Sequence, residues 1–199
     1  MLDKKKVDEA MNINGNVRGV VFLTDSEYIR RNHTDAALDK IVQTMQKLGH
    51  PIVYSDIKSM MWYPLGLRVL TFYVMREVFS WSDDDFRTMG FNAPKYSIIV
   101  KLLMKFFTSP RTAFDHAPEY WLRHYDVGTL EVDELNEREC YAVQRIRDFT
   151  VPPLYCTYLE GYFKSLYVFT FPGKHVTVQE TRCVSRGDSY HEFRAEWHD

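Results

Sequence analysis

The closing stretch of the chain constrains its fold more than any other. In KHVTVQETRCVS and SYHEFRAEW apolar and polar residues alternate, and Arg186-Gly187-Asp188 between them supplies turn chemistry, so the spacing predicts an antiparallel hairpin. Val176, Val178 and Glu180 share one face of its first strand, and His191, Phe193, Ala195 and Trp197 share one face of its second. A ribbon with one apolar face must be covered. The helix predicted over Pro153 to Val168 carries Cys156, Leu159, Phe163 and Leu166 at i, i+3, i+7 and i+10, a single stripe suited to that task.

Glu180 and His191 extend the inward rows, where an unpaired carboxylate is costly and must find a partner. Cys156 faces the same layer. Strict alternation from Glu180 turns Cys183 to the opposite face, so it joins the others only through a bulge or the onset of the turn. If the four converge, two thiols, an imidazole and a carboxylate make a closed set of the kind that holds a metal ion. The alternative is two ordinary buried cysteines, with Glu180 and His191 paired to each other or to Arg182 or Arg186; no Cys-x-x-Cys pair decides between them.

Upstream, VRGVVFL reads as a β-branched strand. Thr34 can cap a helix in which Leu38, Ile41, Val42, Met45 and Leu48 recur, with Gly49 at its stop. Further helices are expected from Pro64 to Ser80 and from Pro94 to Phe107. SDDDFRTMG is expected to be a short capped turn ending at Gly90, and TAFDHAPEYWLRHYD a helix broken by Pro118. GTLEVDEL and CYAVQRI flank NERE as a hairpin whose acidic positions form a solvated edge. The order implies an α+β fold, an antiparallel β-sheet covered on one face by several α-helices and ending helix then hairpin. Residues 1–15 are expected to be a flexible lead-in, and 16–199 a single ligand-binding domain.

With 25 Lys+Arg against 27 Asp+Glu the chain has no basic field, so nucleic-acid binding is not expected. Three cysteines and no apolar leader point to the cytoplasm, and Arg68, Arg76 and Glu77 interrupt the most apolar run, so no membrane span is expected. No phosphate loop, dinucleotide fingerprint or nucleophile triad is present, which favours binding over catalysis. Asp83, Asp84 and Asp85 read as helix-start caps. The aromatic residues Trp62, Tyr63, Phe72, Phe106 and Phe107, with Trp121 and Tyr155 beside them, could line a pocket for a hydrophobic or aromatic ligand or simply fill the core.

The tail reads Glu180, Cys183, Gly187-Asp188, His191 and Phe193, and with YLEGYFKSLY before it this stretch, 153–198, resembles the 4-vinyl reductase domain of bacterial and archaeal sensors. His191 stands where that family usually has a third cysteine, and Cys156 fits the family's cysteine ahead of the Glu. The resemblance implies a structural zinc held by Cys156, Glu180, Cys183 and His191. It further implies a small-molecule sensor whose output passes to a partner signalling protein or a homodimer. The wider fold group includes haem-based nitric-oxide sensors and Golgi transport subunits, so a scaffold or dimerisation module, or an auxiliary protein of tetrapyrrole vinyl reduction, are alternatives. Haem is disfavoured at this stage because the Tyr-x-Ser-x-Arg run of those sensors is absent, and His116 and His124 read as ordinary helical histidines.

Overall fold

The structure, a computed structural model, describes residues 2–97 and 110–199. Seven α-helices and two antiparallel sheets are present among the described residues: α1 (Lys4–Met11), α2 (Gly19–Asn32), α3 (Asp35–Lys47), α4 (Leu65–Phe79), α5 (Asp83–Tyr96), α6 (Pro110–His124) and α7 (Pro153–Thr170), with strands β1 (Asn16–Arg18), β2 (Trp62–Pro64), β3 (Thr129–Asn136), β4 (Tyr141–Arg147), β5 (His175–Arg182) and β6 (His191–His198). Strands β1 and β2 make a small ribbon, and the main sheet has the order β3-β4-β6-β5. The α+β architecture is therefore as expected, and α7 lays its stripe on the sheet: Phe163 packs on Phe193 with ring centroids 5.1 Å apart, and just past the helix end Phe171 stacks on Trp197 at 4.0 Å.

Four local expectations change. Residues 4–11, expected to belong to a flexible lead-in, form a helix capped by the Asp3 carboxylate, which accepts from Lys6 N at 2.8 Å, and Val7 and Ala10 are buried. The VVFL segment is helical. Its leading N–H groups find loop carbonyls, with Gly19 N donating to Met61 O and Val20 N to Ser59 O at 2.9 Å each, and that external cap outweighs the strand preference of two valines. The capped turn at Asp83 continues past Gly90 to Tyr96, opened by the reciprocal Ser82/Asp85 capping box. Helix α6 runs through Pro118, giving up the one bond that a proline nitrogen cannot make. The helix expected up to Phe107, with Phe106 and Phe107 on it, lies mainly outside the described residues; Pro94–Tyr96 close α5 instead. The predicted cap at Thr34 is present, its hydroxyl accepting from Ala37 N at 3.2 Å.

Candidate functional site

Two constellations stand out, and a third that sequence reasoning did not find ties the helices together. The first lies under the closing hairpin. Glu180 pairs with Phe193 and Arg182 with Glu192, so the register slips by one residue between Glu180 and Arg182. That irregularity is the bulge Cys183 requires, and it brings Cys183 to the same side as Cys156: one ligand atom from each of Cys156, Glu180, Cys183 and His191 lies within 4.8 Å of the others. Both cysteines and His191 are buried. His191 Nε2 lies 2.9 Å from the Phe149 carbonyl, which can only accept, so this nitrogen carries a proton. Nδ1 is thereby aimed into the cluster, 2.9 Å from Glu180 Oε1 and 3.3 Å from Cys156 Sγ. Glu180 also has Arg186 Nη1 at 3.5 Å, so of the partners considered from the sequence His191 and Arg186 meet it, whereas Arg182 lies with Asp188 and Glu192. Burial pushes the Cys156 thiol far above its ordinary range, with Glu180 adding to the effect, and burial raises Cys183 as well. Without an ion both sulfurs carry their protons.

The second constellation is a cavity of about 130 Å³ between α2, α5, α6, α7 and the sheet. Its lining is largely apolar, with Phe114, Trp121, Leu130, Leu159, Phe163 and Leu166 among its residues. Of the aromatics expected to line a pocket, Trp121 does so, its indole N–H donating to the Val127 and Gly128 carbonyls at 3.1 Å each. Phe72 and Tyr155 stack in the packed core with centroids 5.4 Å apart. Tyr63 meets Phe22 edge-on, and Trp62 lies beneath the Arg18 guanidinium at 3.6 Å. Phe106 and Phe107 lie outside the described residues.

His124, at the end of α6, lines the same cavity. Its Nδ1 is 3.0 Å from the Tyr120 carbonyl, which fixes the proton on Nδ1 and leaves Nε2 with a lone pair. Burial, only partly opposed by that bond, moves the imidazole below its ordinary value, so the ring is neutral near pH 7. A neutral imidazole held through one nitrogen has the usual form of a metal-ligating histidine.

The third constellation is the fully buried Arg68. Its Nε and Nη2 grip the two carboxylate oxygens of Asp25 at 2.8 and 3.1 Å, and Nη1 donates to Tyr125 Oη at 3.1 Å and to Tyr155 Oη. The two hydroxyls bond each other at 2.8 Å. Burial works against charge on both partners: it raises Asp25 above its ordinary value despite Arg68, and it is outweighed at Arg68, which the Asp25 carboxylate holds well above its own. Sequence reading saw Arg68 only as an interruption in an apolar run. Its partner is 43 residues away, so no local signal announces the pair.

No protein-family model matches the chain, and no curated protein matches its sequence. Solved structures do match in shape. An H-NOX protein from S. oneidensis in the Fe(II)NO ligation state is 15% identical, with a TM-score of 0.64 over 92% of this chain and 99% of that one. An oxygen-binding H-NOX domain related to soluble guanylate cyclases, in its oxygen complex, gives 13%, 0.63, 92% and 95%. A haem protein whose redox potential is modulated through porphyrin distortion gives 12%, 0.64, 92% and 95%. The fold is H-NOX-like.

Two expectations are corrected by this finding. The resemblance to the 4-vinyl reductase domain is replaced, because the solved structures that share this fold are H-NOX domains across almost their whole length. The preference for zinc over haem as cofactor is overturned as well: the proteins of this shape are described in iron ligation states and with haem, and His124, set aside as an ordinary helical histidine, lines the cavity in a ligand-ready tautomer. Among the described residues no helix is long and apolar enough to cross a membrane.

Proposed function

We propose that this chain is a small-molecule sensor domain that takes a hydrophobic ligand in the cavity between α6, α7 and the sheet. The observation that carries the reading is a largely apolar cavity of about 130 Å³, large enough for a single ring, between α2, α5, α6, α7 and the sheet. Ligand there touches α6 and α7 together, so its binding biases how the two helices sit. The proposal predicts that apolar one-ring compounds quench Trp121 fluorescence and raise the melting temperature in a concentration-dependent way. Absence of both effects across a panel of such compounds removes the cavity as the site.

A second reading is favoured by His124 specifically. His124 would hold the iron of a haem through Nε2, with Nδ1 kept on the Tyr120 carbonyl. A bound haem would supply an iron at which a diatomic gas coordinates. The two readings make different demands on the lining, since a one-ring ligand enters the cavity as it stands and haem needs α6 to give way. Adding haemin to the purified chain is expected to produce a Soret band at one equivalent, and His124→Ala should abolish it while far-ultraviolet circular dichroism is unchanged. A band that survives in the variant assigns the iron elsewhere and defeats this reading.

Cys156, Glu180, Cys183 and His191 are proposed as a separate site for a divalent transition-metal ion, supported by their convergence and by the Phe149 carbonyl that orients His191. Binding must displace protons from both thiols, which stand above their ordinary values, so affinity should rise as pH rises and fall in acid. Cobalt(II), followed through its thiolate charge-transfer absorbance, should bind once per chain more tightly at pH 8 than at pH 6, and Cys183→Ala should eliminate the signal. Equal affinity at the two pH values would exclude thiolate ligation.

A further inference from the structure

Of the four converging side chains under the closing hairpin, Cys183 alone sits past the end of the sheet. The pairing of β5 with β6 stops at Arg182 opposite Glu192, so the hold on Cys183 has to come from its own loop. Cys183 is extended and opens a single turn of 3₁₀ helix, Val184–Arg186. Its N–H donates to Asp188 Oδ2 at 2.8 Å, and its carbonyl accepts from Arg186 N at 2.9 Å and from Asp188 N at 3.2 Å. Asp188 thus grips Cys183 twice, once through its carboxylate and once through its backbone. The loop has a further anchor. Ser185 Oγ donates to the Val151 carbonyl at 3.0 Å, two residues past Phe149, whose carbonyl orients His191, and just ahead of the helix that presents Cys156.

A metal–thiolate bond of about 2.3 Å tolerates only a few tenths of an ångström, so a sulfur carried on a loop serves as a ligand when the loop is fixed before the ion arrives. From this arrangement, and resting on the reading of Cys156, Glu180, Cys183 and His191 as a transition-metal site, we infer that Asp188 is a positioning residue of that site: its carboxylate oxygen, by accepting from the Cys183 N–H, fixes the backbone from which the Cys183 sulfur reaches the ion. The role belongs to the place of the oxygen and not to its charge. The Asp188 side chain is 31% exposed, and its other oxygen lies 3.9 Å from Arg182 Nη1, so solvent and a neighbouring cation already screen that charge. Partners that orient a ligand from outside the coordination sphere are worth about 10- to 100-fold in metal affinity.

The test is titration of the purified full-length chain with cobalt(II), read by thiolate charge-transfer absorbance, beside thermal melting of the metal-free protein. Asp188→Asn keeps a side-chain oxygen in place and drops the charge, and it is expected to bind within about threefold of the unaltered chain. Asp188→Ala removes the oxygen, and Asp188→Glu keeps the charge while moving the oxygen out by a methylene; each is expected to bind about 10- to 100-fold more weakly. A residue that only closed the turn would lower the melting temperature of the metal-free alanine protein and leave its cobalt affinity, measured well below that temperature, at the unaltered level; that result overturns the inference. An asparagine protein as weak as the glutamate one overturns it too, as does a glutamate protein that binds as tightly as the unaltered chain. The asparagine and glutamate comparison decides the matter even where the alanine protein fails to fold. Absence of thiolate absorbance in the unaltered chain removes the metal-site reading and this inference with it, a result obtained before any variant is made.

Discussion

Arg68→Met is expected to destabilise this chain by about 3–5 kcal/mol, the cost of leaving a buried charge without its partner, which for a domain of this size lowers the melting temperature by on the order of 10 °C. The reason is the isolation of the pair. Arg68 and Asp25 are each almost completely buried, and the four donor contacts from the guanidinium go to Asp25, Tyr125 and Tyr155, none of which water can replace. Removing the cation strands the Asp25 carboxylate in the core, where burial already raises it above its ordinary value. Asp25→Leu should cost a comparable amount by stranding the guanidinium. The double variant Asp25→Leu with Arg68→Met should lose less than the sum of the two single changes, because the desolvation penalty disappears with both ions. Chemical denaturation of the four proteins measures this cycle. Strict additivity, or a loss under about 1 kcal/mol for Arg68→Met, would show that the network does not lock α2 to α4 and α7. A functional consequence accompanies the structural one: Tyr125 both accepts from Arg68 and lines the cavity, so the variant should also weaken ligand binding.

What the sequence made legible follows the range of the forces involved. Alternation and helical spacing act over a few residues, and they correctly placed the closing helix, both hairpins of the main sheet and the cap at Thr34. The need for a bulge at Cys183 could be stated because it is a parity argument, independent of tertiary contacts, and the slip between Glu180 and Arg182 meets it. The errors arise where distant groups decide. Val20 and Val21 are helical because carbonyls some forty residues later receive the leading N–H groups. The first helix forms because Ala10 packs against Gly66, whose missing side chain lets the two backbones meet. The cavity was underestimated for the same reason: Phe72 and Tyr155 carry the aromatic signature of a pocket yet fill the core, while His124, which lines the cavity, is a single polar residue with no pattern around it. The resemblance of the tail pointed to the wrong family because a short ligand-like motif says little about the other three-quarters of the chain, whose shape decides the fold.

Gly161→Ala is expected to destabilise by about 1–3 kcal/mol or more, and the sign of the effect is what makes it informative. Within a helix, alanine ordinarily improves on glycine by roughly 1 kcal/mol, so a helix without close neighbours would gain from this change. Gly161 is not such a case. A Cβ there would fall 1.9 Å from the Arg87 carbonyl oxygen of α5, and reciprocally a Cβ on Gly90 would fall 2.1 Å from the Tyr158 carbonyl oxygen of α7. Both obstacles are backbone, which cannot rotate away, so the new methyl must push α5 and α7 apart. That separation has a cost beyond the crossing itself, because Tyr158, Leu159 and Tyr162, the neighbours of Gly161 on α7, line the cavity, as does Ala93 on α5. Ligand affinity should therefore fall together with stability. Gly90→Ala should behave alike, and the two changes combined should cost less than their sum, since helices already displaced by one methyl have room for the second. Equilibrium denaturation of the single and double variants provides the measurement. A stabilised Gly161→Ala protein would mean that α5 and α7 do not cross at backbone contact, and the enclosure of the cavity on that side would have to be rebuilt.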